Sequence, residues 1–189
     1  MTDAPKALRV MHPLFHAGEG GARPTSALSL WLEWIDTGRA IALNRLWHSR
    51  LPRLGRGSVN IQFPSLAATH DGLIYAVAIW SNPVSRMLPQ HDWLELRRLA
   101  IAPDAPRNTA SRMLAVMTRL IRRRWPNVVR LISYQDTEAH TGGIYRAAGW
   151  QPIVVPNSQT NWAASVSRPR PTSQSTAIKV RWEKRLTPA

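Results

Sequence analysis

Leu94-Glu95-Leu96-Arg97-Arg98-Leu99-Ala100-Ile101 carries apolar residues at 94, 96, 99 and 101, so the alternation of a strand slips by one residue between Leu96 and Leu99. A slip of this kind marks a β-bulge, which frees a backbone N–H to point at a ligand. The turn Pro103-Asp104-Ala105-Pro106-Arg107-Asn108-Thr109 follows, with Asn108 or Thr109 as N-cap of a helix and Pro106 fixing the approach. In that helix Met113, Leu114, Met117, Leu120 and Ile121 recur at helical spacing, while Arg112, Arg119 and Arg123 fall on the opposite side. It ends at Trp125-Pro126. The near-continuous apolar run from Val128 to Tyr134 then reads as a buried strand of a mostly parallel sheet. Its C-terminal end delivers Tyr134, Asp136 and, a few residues on, His140, where open α/β sheets bind their ligands.

Working outward, Ser26 to Ile35 and Arg39 to Trp47 show the spacing of two helices broken near Thr37-Gly38. Ser58 to Phe63 alternates and Leu73 to Trp80 is densely apolar, and Thr69-His70-Asp71-Gly72 between them suits the turn of an antiparallel hairpin. Residues 81–92 read as a loop or strand extension. After Trp150, Ile153-Val154-Val155 precedes a polar segment, 156–176, rich in Ser, Thr, Pro and Gln. Ala177 to Glu183 alternates again as a final edge strand. Residues 1–25 hold a possible first strand at Leu8 to Met11 and a mobile loop. The expectation is a single α/β domain over 1–189, with a mixed central sheet flanked by helices, a partly flexible segment at 1–25 and a long loop at 156–176.

The chain has 189 residues, 44% of them hydrophobic, and no cysteine, which excludes disulfides, thiolate catalysis and Cys-based zinc sites. No apolar run approaches the roughly 20 residues that span a bilayer, and Asp3, Lys6 and Arg9 near the start do not read as a signal peptide. A cytoplasmic protein without membrane partners is expected. The formal net charge is +14, and only Lys6, Lys179 and Lys184 are lysines. GC-rich coding explains arginine in place of lysine, but not 11 acids against 25 bases. That imbalance points to a polyanionic partner, for which duplex DNA is the expectation.

Tyr145-Arg146-Ala147-Ala148-Gly149-Trp150 places a tyrosine four residues before a Gly-aromatic pair. With the strand, turn, helix, strand and short helix before it, this order resembles the acyl-donor half of the GNAT acyltransferase fold. A phenol with a pKa near ~10 can donate to a departing thiolate, although the same tyrosine also fits an amphipathic core position. Asp136 and His140, four residues apart, could supply a general base or, with His48, ligands for a metal. They equally fit a turn-forming Asx residue and a cap histidine. The Gly142-Gly143 step would let a ligand approach the backbone.

Asn44-Arg45-Leu46-Trp47-His48-Ser49-Arg50-Leu51-Pro52, then Glu95-Leu96-x-Arg98-Leu99, Asn108-x-x-Ser111-Arg112 and Asp136-x-x-x-His140-x-Gly142-x-Ile144-Tyr145, together resemble the Mom family of phage DNA-modification proteins, which are GNAT-related. The resemblance spans about Asn44 to Trp150. It implies replacement of a hydrogen on the exocyclic amine of adenine by a carbamoylmethyl group, protecting phage DNA from restriction inside the host cell. It further implies catalytic roles for Tyr145, Asp136, His140 and His48, and donor contacts from Arg98, Arg107, Asn108, Thr109 and Ser111. DNA contacts would come from Trp47, Ser49, Arg50, Arg53, Arg56 and Tyr134, and the donor would be acetyl-CoA, another acyl-CoA or a related activated molecule. Two positions depart from the patterns. Asp104 to Ser111 holds no glycine where GNAT proteins carry a Gly-rich pyrophosphate loop, and Ser49 stands where the Mom pattern commonly has tyrosine. The alternatives are an acetyl-CoA-dependent N-acetyltransferase acting on a small-molecule or protein amine, and an inert basic DNA-binding module.

Overall fold

In the computed structural model, residues 23–48, 51, 53–54, 65–153 and 179–186 are described. A seven-stranded sheet runs in the order β1-β2-β3-β4-β5-β7-β6. Its strands are β1 (Trp31–Ile35), β2 (Ser65–His70), β3 (Leu73–Ser81), β4 (Trp93–Ile101), β5 (Arg130–Asp136), β6 (Gln151–Ile153) and β7 (Lys179–Arg185). The helices are α1 (Thr37–Trp47), α2 (Thr109–Arg124) and the short α3 (Gly143–Ala147). All pairings are antiparallel except β4 with β5.

Helix α2 covers one face. Met113, Leu114, Met117 and Ile121 are buried against Trp80, Leu94, Leu96, Leu131, Trp150 and Trp182, each side chain contributing about 1.5–3 kcal/mol by burial. Leu120 packs at the margin of this core, Arg119 and Arg123 are exposed, and Arg112 is half-buried. The expected helix thus has its expected orientation. On the other face α1 lays Ala40 and Leu43 on Ala67, Ile74, Val77, Ile79 and Ala100. Asp36 caps α1 by accepting the Arg39 N–H at 3.0 Å.

Several expectations are corrected. Residues 26–35 are not a helix: a single 3-10 turn at Ala27–Ser29 leads into β1. Pairing with β2 along Trp31 to Ile35 outweighs a helical apolar spacing that α1 would have had to share. The hairpin turn is correct, since Asp71 (φ 48) and Gly72 (φ 75) both take positive φ as a two-residue type I′ turn demands. Its first strand, however, is Ser65–His70, and Ser58 to Phe63 lies outside the described residues, as do Leu8 to Met11, the rest of 1–22, and the loop 156–176. The last strand is not an edge. β7 sits between β5 and β6, which accounts for the burial of Trp182 and Glu183, and the three-residue β6 forms the edge. Among the described residues no helix is long and apolar enough to cross a membrane.

Candidate active site

The bulge read from Leu94 to Ile101 lies at Arg97. Ile79 pairs with Arg98 and Trp80 with Leu96, so Arg97 has no partner of its own. Leu96 and Leu99 both remain on the α2 side, whereas Arg97 meets Glu95 and Arg98 meets the segment after α1. One extra residue therefore turns two successive arginines to the α1 face. The parallel pairing of β4 with β5 ends at the rung Leu96–Ser133, though β4 runs on to Ile101 and β5 to Asp136. Beyond that rung the two strands are no longer paired, and they form a fork at their C-terminal ends.

Tyr145 stands at the fork. α3 seats its ring 5.3 Å from Trp182, nearly parallel, and its hydroxyl lies 2.9 Å from Ser133 Oγ. Ser133 Oγ can donate in turn to the Leu96 carbonyl at 3.4 Å, so the phenol is tied to both strands of the last rung. Burial pushes the phenol's pKa up, opposed by the Ser133 hydrogen bond, and the group stays protonated.

On the α1 side, His48 closes the helix by donating its N–H to the Asn44 carbonyl at 2.9 Å. Its Nδ1 accepts the Leu51 N–H at 3.1 Å, which leaves the proton of the neutral ring on Nε2. Burial, then the Arg98 and His140 charges, lower its pKa from 6.5 to about 4. Here the structure joins α1, β4 and the loop after β5. Because the fold depresses this pKa, the unfolded chain takes up the proton first as pH falls. The contribution is complete above pH 6.5 and is lost as pH drops toward 4. At this partly solvated ring it amounts to about 1–2 kcal/mol after solvent screening. Urea midpoints of the wild type and His48→Gln should diverge in their pH dependence within that window and nowhere else. Superimposable profiles would contradict the neutral, half-buried ring.

After β5 the chain turns on Asp136. Its carbonyl accepts the N–H groups of Ala139 and His140, and its Oδ1 accepts the Glu138 N–H at 3.1 Å. Asp136 is thus engaged as an Asx-type turn residue, while His140 is exposed. Gln135 pins the far side of this loop, donating to the His140 carbonyl and accepting the Trp182 Nε1–H at 2.7 Å. The close approach at Gly142 is made by protein: a Cβ there would lie 2.4 Å from Trp182 and 2.6 Å from Gln135 Oε1. Among the described residues no three His, Asp or Glu side chains are placed to hold a metal, so His48, Asp136 and His140 do not form a ligand set.

On the donor side, Asn108 (φ 66, ψ 8) adopts the left-handed conformation that glycine usually supplies, so the turn into α2 forms without one. The Asn108 side chain does not cap α2, the first turn carries no acid, and Arg107 and Asn108 are exposed. An uncapped, acid-free helix start favours an anion. The hydroxyls of Thr109 and Ser111 donate to the carbonyls of Pro106 and Asn108. Of the DNA-contact candidates, Trp47 packs at the margin of the α1 core and Arg53 is exposed. Tyr134 is half-buried beside Arg181, its pKa raised by burial and by Glu95. Ser49, Arg50 and Arg56 lie outside the described residues.

Glu95 belongs to the family-like sequence pattern, which assigns it no role. It is a buried carboxylate on β4 that accepts the Val84 N–H at 2.8 Å and lies 3.6 Å from Arg97 Nε. Burial pushes its pKa up, against the pull of the Val84 N–H and the two arginines. In sequence it resembled an ordinary outward position of an alternating strand, and only its neighbours reveal the burial.

Residues 73–184, more than half of the chain, match the Mom protein family. The chain belongs to that family. The match runs from β3 to β7 and includes Arg98, Asp136, His140 and Tyr145; His48 lies before it. In structure this Mom-family chain has the fold of the GNAT acetyltransferases. It is similar to the ribosomal-protein-S18-alanine N-acetyltransferase from Escherichia coli (14% identity, 85% of this chain and 96% of that one, TM-score 0.59). It is also similar to a Bacillus subtilis acetyltransferase in complex with CoA (9%, 84% and 99%, 0.58). A third is the ribosomal-protein-alanine N-acetyltransferase from Brucella melitensis (16%, 83% and 100%, 0.58). None of the curated proteins matches the chain by sequence.

Proposed function

We propose that the protein is a DNA base-modification transferase that alters the exocyclic amine of adenine by carbamoylmethylation, using an acyl-CoA or a related activated donor. The observation that carries this reading is membership of the Mom family joined to a GNAT fork with a buried phenol at its last rung. Adenine's amine is a poor nucleophile whose lone pair is delocalised into the ring, and it lies at the Watson–Crick edge. The base must therefore be flipped out of the duplex. In the transfer the amine nitrogen bonds to a donor carbon, the bond from that carbon to its leaving group breaks, and the amine proton passes to a base. A carbamoylmethyl product requires the leaving group on the donor's methylene carbon, whereas loss of thiolate from an acyl-CoA carbonyl gives an amide. Tyr145, protonated at the fork, would donate to the leaving group, and His140 would take the amine proton, while His48, with Nδ1 accepting the Leu51 N–H, could act only as a donor from Nε2. The uncapped start of α2, with Arg107 beside it, suits the donor's phosphates. The excess of 25 bases over 11 acids supports a duplex DNA partner. Protection of phage DNA from restriction, in the cytoplasm of a host, is the biological role that fits.

A carbamoylmethyl group joins nitrogen through a methylene carbon and contains a nitrogen of its own, whereas an acetyl group forms an amide and contains none. Mass spectrometry of nucleosides from cells expressing the protein should therefore show a heavier deoxyadenosine with one added nitrogen. The second reading is an acetyl-CoA-dependent N-acetyltransferase of a small-molecule or protein amine, favoured by the similarity to acetyltransferases. Unmodified nucleosides together with rapid acetyl-CoA turnover on amines would establish it instead.

A further inference from the structure

The peptide groups at Leu51 are held from both sides. Asn44 Nδ2, on a side chain fully buried on α1, donates to the Leu51 carbonyl at 3.2 Å, and Arg98 Nε donates to the same oxygen at 3.1 Å. The two donors use both lone pairs of that oxygen. The Leu51 N–H in turn donates to His48 Nδ1 at 3.1 Å. The remaining arms of Arg98 go to carbonyls as well, Nη1 to Arg97 at 2.6 Å and Nη2 to Arg53 at 3.4 Å. Each of the three arms of the guanidinium is thus directed at backbone, in the planar fork that only arginine offers. The Arg97 bulge makes this reach feasible, because an unbulged strand would turn Arg98 into the core under α2.

We propose that Arg98, acting with Asn44, is a positioning residue for the acceptor-side wall: it clamps the Leu51 peptide, and through it holds His48 as the Nε2–H tautomer, rather than binding the acyl donor. The clamp rests on the proposed function only for the side of the transfer it serves; the geometry stands without it.

The test uses the full chain, labelled with ¹⁵N-histidine, in wild-type, Arg98→Gln and Arg98→Lys forms. The His48 ring signals are assigned by their loss in His48→Gln. Long-range ¹H–¹⁵N spectra of the wild type should show a single neutral tautomer with the proton on Nε2. Arg98→Gln should give a mixture of tautomers, and Arg98→Lys, which keeps the charge but not the fork, an intermediate spectrum. If Arg98→Gln does not fold, Arg98→Lys carries the comparison. Acetyl-CoA titrated calorimetrically should bind wild type and variants within about twofold, while turnover on DNA in the variants falls by about 10²-fold, the loss expected when a reacting group is misplaced by an ångström. An unchanged His48 spectrum, or acetyl-CoA binding weakened by about tenfold, would overturn the clamp. A wild type that binds no acetyl-CoA would instead overturn the donor reading, and the His48 spectrum would then decide the clamp alone.

Discussion

Tyr145→Phe should lower adenine modification by about 10²- to 10⁴-fold, the range for removal of a proton-transfer group, while leaving the fold and DNA affinity as in the parent. The phenyl ring retains its stack on Trp182 and its contact with Trp150, so the packing around α3 survives. The loss is one buried hydroxyl and its bond to Ser133, about 1 kcal/mol of stability. Ser133 keeps the Leu96 carbonyl as a partner, so no uncompensated polar group is created. Ser133→Ala provides the control: it preserves the phenol and removes only its anchor, so its effect on turnover should be smaller. The nucleoside assay measures both. Full modification by Tyr145→Phe would show that Tyr145 is a core residue whose hydroxyl merely finds a partner. Asp136→Asn should cost far less than Tyr145→Phe, because the amide oxygen can still accept the Glu138 N–H and complete the turn.

Gly142→Ala should destabilise the protein by about 2–5 kcal/mol, the sum of a left-handed backbone that alanine disfavours and overpacking in a closed interior. The backbone there has φ +75, and the new methyl would fall 2.4 Å from the Trp182 ring and 2.6 Å from the Gln135 amide oxygen. Neither neighbour can yield easily. Trp182 is 2% exposed, and Gln135 is held by bonds to Trp182 and to the His140 carbonyl. Relief would disturb the segment carrying His140 as well as stability. Gly72→Ala offers the comparison: its φ is +75 too, but nothing lies within 4 Å of a Cβ there. It should show the backbone cost alone, about 1 kcal/mol. Equal shifts in urea midpoint for the two variants would mean that the packing at Gly142 contributes nothing.

The part of the fold legible in the sequence is the part governed by local periodicity. The bulge after Leu96, the amphipathic α2, the strand ending at Asp136 and the Asp71-Gly72 turn each leave a pattern within a dozen residues. The family pattern over Asn44 to Trp150 was legible as well, because it consists of residue types at fixed spacing rather than of contacts, and residues 73–184 match that family. Trp31 to Ile35 satisfies helical spacing in sequence, while its state is decided by β2, which follows some 30 residues later. The interior place of β7 was hidden for a similar reason: alternation describes a strand's two faces, but not what pairs with its two edges.

From the sequence alone came the absence of thiol chemistry, the strongly basic charge, the mixed α/β class and the family, all properties of composition or short spacing. The tertiary structure alone decided what each of these candidate side chains touches. It tied Tyr145 to the last rung of the fork, made Asp136 a turn residue, let Asn108 stand in for the missing glycine and spent Arg98 on backbone carbonyls. It also buried Glu95 and gave His48 its neutral ring. Hydrogen bonds and desolvation depend on groups brought together from distant parts of the chain, and those neighbours exist only after the strands have paired.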